Sequence, residues 1–138
     1  MKKINGILLI DDDGTTNLVN RRLIERKLPV EKLLVAVNGE QALNILQNYI
    51  ETHNQKAPEL IVLDLNMPFM DGFEFLEYFK RKNFCNKTQV RLIILTNSTY
   101  EKDKEQFDKI REDKWFFMQK PLTEDKLKKA LDYREMYV

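Results

Sequence analysis

Ile7-Leu8-Leu9-Ile10-Asp11-Asp12-Asp13 sets four consecutive aliphatic residues against three acids. A strand with one wet face alternates apolar and polar residues. An unbroken aliphatic run belongs instead to a strand covered on both faces, as in a parallel sheet. Four further runs repeat the pattern: Leu33 to Val37, Leu60 to Leu63, Leu92 to Leu95 and Trp115 to Met118. Between them the spacing turns helical. Ala42, Leu43, Ile45, Leu46, Tyr49 and Ile50 form an i, i+3, i+4, i+7, i+8 stripe, with Asn38 at the N-cap and Gln41 in the capping-box position. A first helix is predicted after Asp13, burying Val19, Leu23, Ile24 and Leu28 and ending before Pro29. A third follows Asp71-Gly72 on Phe75, Leu76 and Phe79. A fifth follows Thr123, with Glu124 and Asp125 in its first turn and Leu127, Ala130 and Leu131 buried. The fourth, within Thr99 to Asp113, is mostly charged, with Tyr100, Phe107 and Ile110 as a thin apolar stripe. So few buried contacts predict low local stability. Strands alternating with helices make the fold class α/β, with right-handed crossovers.

The 138 residues predict a single domain, 1–138, large enough to bury a core. Hydrophobic residues at 43% and charged residues at 33%, with four glycines and four prolines, exclude collagen-like, low-complexity and disordered classes. Lys and Arg total 23 against 22 Asp and Glu, so nothing in the charge favours nucleic acid or an anionic membrane as a partner. Cys85 is the only cysteine, which rules out an internal disulfide and argues against a cysteine-built zinc site. The apolar runs are far shorter than a membrane span, and Met1 to Gly6 has no signal-peptide core; the expected location is the cytoplasm.

Chemistry gathers just past the strands. The first ends in Asp11-Asp12-Asp13, the third in Asp64, the fourth in Thr96 and the fifth in Lys120-Pro121. In a parallel sheet these ends share one edge, where ligands bind at a switch point in strand order. Crowded carboxylates repel unless a cation relieves them, and a hard divalent ion such as Mg²⁺ suits oxygen ligands beside phosphate. A lysine and a threonine at the same point suit a phosphoryl group's oxygens, and an aspartate can attack phosphorus to give an aspartyl phosphate. Taken singly, Asp12 reads as a helix cap, Thr96 as a turn hydroxyl and Lys120 as a solvated loop lysine. Their joint occurrence at four strand ends overturns those readings. Asp71-Gly72 reads as a turn and helix start, His53 as a surface residue without a catalytic partner, Cys85 as inert and Trp115 as core.

The sequence resembles a response-regulator receiver domain of two-component signalling, in the stand-alone form without an output domain. The resemblance runs from Ile7 through the fifth helix. It rests on Ile7-Leu-Leu-Ile-Asp-Asp-Asp13, Leu63-Asp-Leu-Asn-Met-Pro-Phe-Met-Asp-Gly72, Ile94-Leu-Thr-Asn97 and Gln119-Lys-Pro121. It implies a flavodoxin-like, doubly wound, five-stranded parallel sheet of order 2-1-3-4-5 with five helices. It also implies that Asp64 accepts a phosphoryl group from a histidine kinase or a histidine phosphotransfer protein. Asp12, Asp64 and the backbone carbonyl of Asn66 would bind Mg²⁺, with Asp11 acting largely through metal-bound water. Thr96 would move its hydroxyl to the phosphoryl group, Lys120 would pair with it, Pro121 would hold the adjoining loop, and Phe117 would turn inward as the aromatic switch. The signal would leave to an unknown downstream protein through the fourth helix, fifth strand and fifth helix, including Tyr100, Phe107 and Phe117. Surface residues of the first helix, such as Asn17, Leu18 and Arg21, would select the kinase. Asn66 and Ser98 would border the path of hydrolytic water.

Three positions depart from the commoner pattern. Asn97 stands where a small residue is usual, predicting slower exchange with small phosphodonors than an Asn97→Ala variant shows; equal rates would remove the idea. Phe117 lacks the hydroxyl of the tyrosine often found there, so only ring burial can report activation. Asp13 reads as the cap of the first helix rather than a metal ligand. A rival reading takes Ile10-Asp-Asp-Asp-Gly-Thr15 as the signature of haloacid-dehalogenase-like phosphatases, with Asp11 as nucleophile, Asp13 as acid/base, Thr96 as second motif and Lys120 as third. It lacks the later acidic pair and leaves Asp64 without a role. A degenerate receiver that binds partners without phosphorylation is the third reading, disfavoured by the intact site positions.

Overall fold

The computed structural model describes residues 3–84, 90–97 and 101–131. Five strands, β1 (Ile4–Ile10), β2 (Val30–Ala36), β3 (Leu60–Asp64), β4 (Arg91–Thr96) and β5 (Trp115–Gln119), form one sheet of order β2-β1-β3-β4-β5. Every pairing is parallel. Helices α1 (Gly14–Lys27), α2 (Gly39–Thr52), α3 (Gly72–Arg81), α4 (Glu101–Ile110) and α5 (Glu124–Ala130) connect or follow the strands. This is the expected flavodoxin-like arrangement.

The continuous apolar runs feed two cores on opposite faces, because successive strand side chains point to opposite sides. Leu8 and Ile10 of β1, Ile61 and Leu63 of β3, and Leu92 and Ile94 of β4 join Leu46, Phe75, Phe79 and Phe107 of α2, α3 and α4. Ile7 and Leu9, Leu60 and Val62, and Ile93 and Leu95 join Ile24 of α1 and Leu127 and Ala130 of α5. Trp115 is fully buried, as expected.

β1 and β2 start three residues earlier than their apolar runs. Asn5 and Gly6 obscure the start of β1: Asn5 exchanges hydrogen bonds with Glu59 (3.0 and 3.2 Å), and a Cβ on Gly6 would lie 2.6 Å from the Tyr49 hydroxyl. Val37 falls beyond β2 and is exposed. The α2 capping box forms in part. Asn38 Oδ1 accepts from Gln41 N–H at 2.7 Å, but the Gln41 side chain reaches Val37 N–H rather than that of Asn38.

α1 corrects the expected burial. Ile24 and Leu28 are buried, but Val19 is 60% exposed and Leu18 47%, while Asn17 and Asn20 are 4% and 7% exposed. Asp13 caps the helix, so the chain is helical from Gly14 and the 3.6-residue period brings 17, 20 and 24 to the sheet. Asn17 is therefore not a surface residue. Nor is Phe107 part of an exposed exit face: it is the one buried residue of α4. His53 is half-buried rather than superficial, stacked on Tyr49 at 3.8 Å between ring centroids. Cys85, Ser98, Thr99 and Tyr100 lie outside the described residues.

Candidate functional site

Strands β1, β3, β4 and β5 bring Asp11, Asp64, Thr96 and Lys120 to one edge of the sheet. The sheet extends past Asp64, since Leu65 N–H donates to Leu95 O at 3.1 Å, and Lys120 N–H donates to Thr96 O at 2.9 Å. These bonds fix the main chain from which the functional side chains depart. Asp11, Asp64 and Thr96 are buried, Lys120 is half-buried and Asp12 is exposed.

The Lys120 ammonium lies 3.0 Å from Asp64 Oδ1 and 3.6 Å from Asp11 Oδ2. Asp11 Oδ1 accepts from Asp13 N–H at 2.9 Å, and Asn66 N–H faces Asp64 Oδ1 at 3.4 Å. Both of the Asp64 contacts fall on Oδ1. Among the described residues, Oδ2 is the oxygen left without a hydrogen bond. Asn66, expected through its carbonyl, thus stands directly beside Asp64.

Burial raises the Asp64 pKa above its ordinary value against the pull of Lys120. Burial also raises Asp11, opposed by the Asp13 N–H and reinforced by the charge of Asp64. Burial works against the Lys120 ammonium too, but the two carboxylates overcome it and hold its pKa above the ordinary lysine value. One lysine thus offsets only part of what burial costs these two carboxylates. Asp11, Asp12 and Asp64 each offer a carboxylate oxygen, all within 4.8 Å of one another. Three hard oxygen donors gathered this closely fit a divalent cation of the Mg²⁺ class.

Local sequence explains the loops. Asp71 caps α3, accepting from Glu74 N–H at 2.9 Å, as its turn reading requires. Gly72 does more than start the helix. A Cβ there would lie 3.0 Å from Leu65 Cα and 3.1 Å from the Asp64 carbonyl oxygen, so only glycine lets α3 approach the end of β3 this closely. Between them Phe69 has φ 70° and is fully exposed, in a tight turn closed by Met70 N–H to Pro68 O at 2.8 Å. After β5 the Lys120–Pro121 peptide is cis, and the Lys126 ammonium donates to the carbonyls of Gln119 (2.5 Å) and Pro121 (2.8 Å). Phe117, half-buried on β5, packs its ring 5.3 Å from that of Phe107.

Asp13 accepts from Thr15 N–H (2.9 Å) and the Thr16 hydroxyl (3.1 Å), and these bonds lower its pKa. A phosphatase acid/base needs a carboxyl that holds its proton more readily, so the cap role stands against the rival reading. The sequence alone, which read Asn17 as a surface residue selecting the kinase, did not place it at this site, where its Nδ2 donates to Asp11 O at 2.8 Å, nor did it point to Lys126. The signal for Asn17 was its helical phase from the Asp13 cap.

The sequence profile described as response regulator receiver domain matches residues 7–132. NarL, the nitrate/nitrite response regulator protein of Escherichia coli (strain K12), is 32% identical over 97 residues, 70% of this chain and 40% of NarL. Response regulator Rcp1 of Synechocystis is 31% identical over 97 residues, 70% of this chain and 65% of Rcp1. The chain thus aligns with less than two thirds of either relative. The crystal structure of a two-component response regulator from Cytophaga hutchinsonii superposes with a TM-score of 0.81 at 28% identity, covering 99% of this chain and 98% of that one. The Mn(2+)-bound form of Rcp1 shares the fold at a TM-score of 0.67 and 24% identity, covering 96% of this chain and 94% of that one.

Proposed function

Because the chain belongs to the response regulator receiver domain family, we propose that it is a phosphorylation-dependent signalling switch in which Asp64 takes the phosphoryl group from a phosphohistidine. The observation that carries this is the Asp64–Lys120 pair at 3.0 Å, set beside Asp11 and Asp12 at one sheet edge. Asp64 Oδ2 attacks phosphorus while the P–N bond breaks and its electron pair leaves with the imidazole, giving an aspartyl phosphate. Lys120 holds Oδ1 during the attack and faces the incoming phosphoryl oxygens. Asp11, Asp12 and Asp64, with the Asn66 carbonyl, are the residues that would hold Mg²⁺, as the Mn(2+)-bound form of Rcp1 supports. When bound, the cation neutralises the charge on the transferring oxygens.

Thr96 then donates its hydroxyl to a phosphoryl oxygen, and the space it vacates admits the Phe117 ring. Phe117 already packs on Phe107, the one buried residue of α4, so its motion reaches the least anchored helix of the fold. Pro121 and the Lys126 ammonium brace the loop that carries Lys120. The phosphodonor is a histidine kinase or a histidine phosphotransfer protein. The downstream partner is a protein that reads the surface of α4, β5 and α5. Among the described residues no helix is long and apolar enough to cross a membrane.

Intact mass after incubation with acetyl phosphate and Mg²⁺ tests the reading. One phosphoryl group is expected on the wild type, none without Mg²⁺, and none on Asp64→Asn. Labelling that persists in Asp64→Asn and disappears in Asp11→Asn overturns it in favour of the phosphatase.

A further inference from the structure

We propose that Asn17 is a positioning residue for the acidic cluster, clamping the peptide unit that joins Asp11 to Asp12 and so setting how the two carboxylates are presented to a divalent cation. The inference rests on the reading of Asp11, Asp12 and Asp64 as that cation's site. Asn17 Nδ2 donates to the Asp11 carbonyl at 2.8 Å, and both ends of this bond are buried. A carbonyl can only accept, which fixes the orientation of the Asn17 amide. Its Oδ1 is then left buried and without a hydrogen-bond partner among the described residues. A leucine would carry no such burden. On the same helix Leu18 and Val19 face solvent, so α1 places asparagine inward exactly where the acids are and leucine outward.

The geometry explains what the bond accomplishes. A peptide unit is planar, so holding the Asp11 carbonyl holds the plane that leads to the Asp12 Cα. The other side of the turn is held by Asp13 N–H on Asp11 Oδ1. No hydrogen bond or ion pair among the described residues holds the Asp12 carboxylate itself, so its direction comes from this backbone. Asn20, one turn on and equally buried, makes no hydrogen bond to the acidic turn among the described residues. It provides the control for burying a polar amide on this face.

Mg²⁺ binding by calorimetry and thermal unfolding without Mg²⁺, on the whole chain, separate positioning from stability. Asn17→Leu and Asn17→Ala are expected to bind Mg²⁺ roughly ten- to a hundred-fold more weakly, the loss usual for residues that orient metal ligands. Asn17→Leu is expected to unfold at or above the wild-type temperature, and Asn20→Leu to keep wild-type affinity. Unchanged affinity in both Asn17 variants overturns the proposal, as does an equal loss in Asn20→Leu or failure of both Asn17 variants to fold. A wild type that binds no Mg²⁺ overturns the cation-site reading itself, and this inference with it, before any variant is compared.

Discussion

Burial holds the Asp64 and Asp11 carboxyls above their ordinary pKa of 3.8, so the folded protein retains their protons more tightly than the unfolded chain does. Stability from these groups is therefore greatest below pH 3.8 and falls as pH rises through the window up to the raised folded value. Without divalent cation, Asp64→Asn should melt above the wild type at pH 7, and the gap should close in acid; a gap independent of pH in thermal melts contradicts this. Mg²⁺ at a hundred times its Kd should stabilise the wild type by about 2.7 kcal/mol and Asp12→Asn far less. These acids, with Thr96 and Lys120, were legible in the sequence because each lies within two residues of the end of an apolar run, and a parallel sheet aligns the ends of such runs. Asn17 was not, since a lone polar residue on a helix next to Leu18 and Val19 reads as surface. Only the phase set by the Asp13 cap turns it inward.

Helices α3 and α4 differ in how firmly they are anchored to the sheet. α3 is anchored at its first residue: the Gly72 Cα sits against Leu65 and the Asp64 carbonyl, with its N–H donating to Leu65 O at 2.8 Å. Replacing a helical glycine by alanine ordinarily stabilises by about 0.5–1 kcal/mol. Here the new methyl meets backbone that cannot swing aside, and overpacking of about 1–3 kcal/mol wins. Gly72→Ala should therefore unfold more easily and slow phosphoryl gain on Asp64, as denaturant melts and intact mass would show; a stabilised variant contradicts the close approach. α4 buries only Phe107, whereas α3 buries Gly72, Phe75, Leu76 and Phe79. In native-state hydrogen exchange the α4 amides should open at lower free energy than those of α3, and Phe107→Ala should abolish their protection first. Equal protection of the two helices would contradict the switch assigned to α4. The charged run between Thr99 and Asp113 pointed to this weakness, and of its thin apolar stripe Phe107 enters the core while Ile110 packs partly against it.

The whole molecule is a sheet with two cores and a chemical edge. Alternate residues of each central strand feed opposite cores, which is why the runs are continuous and why the strand class could be read before any coordinates. Strand order was legible only through the resemblance, since five similar runs carry no register; the pairing of β1 with both β2 and β3 creates the switch point at which Asp11 meets Asp64. Where the sequence misled, a polar or small residue had taken a strand or core place, as Asn5 and Gly6 did in β1 and Asn20 did in α1. The central claim is that this edge directs phosphoryl capture to one carboxylate. After reaction with acetyl phosphate and Mg²⁺, borohydride converts an aspartyl phosphate to homoserine, and peptide mass mapping locates the residue. Homoserine at position 64 and at no other acid is the predicted result. Homoserine at Asp11 or Asp12, with Asp64 unchanged, would contradict the account.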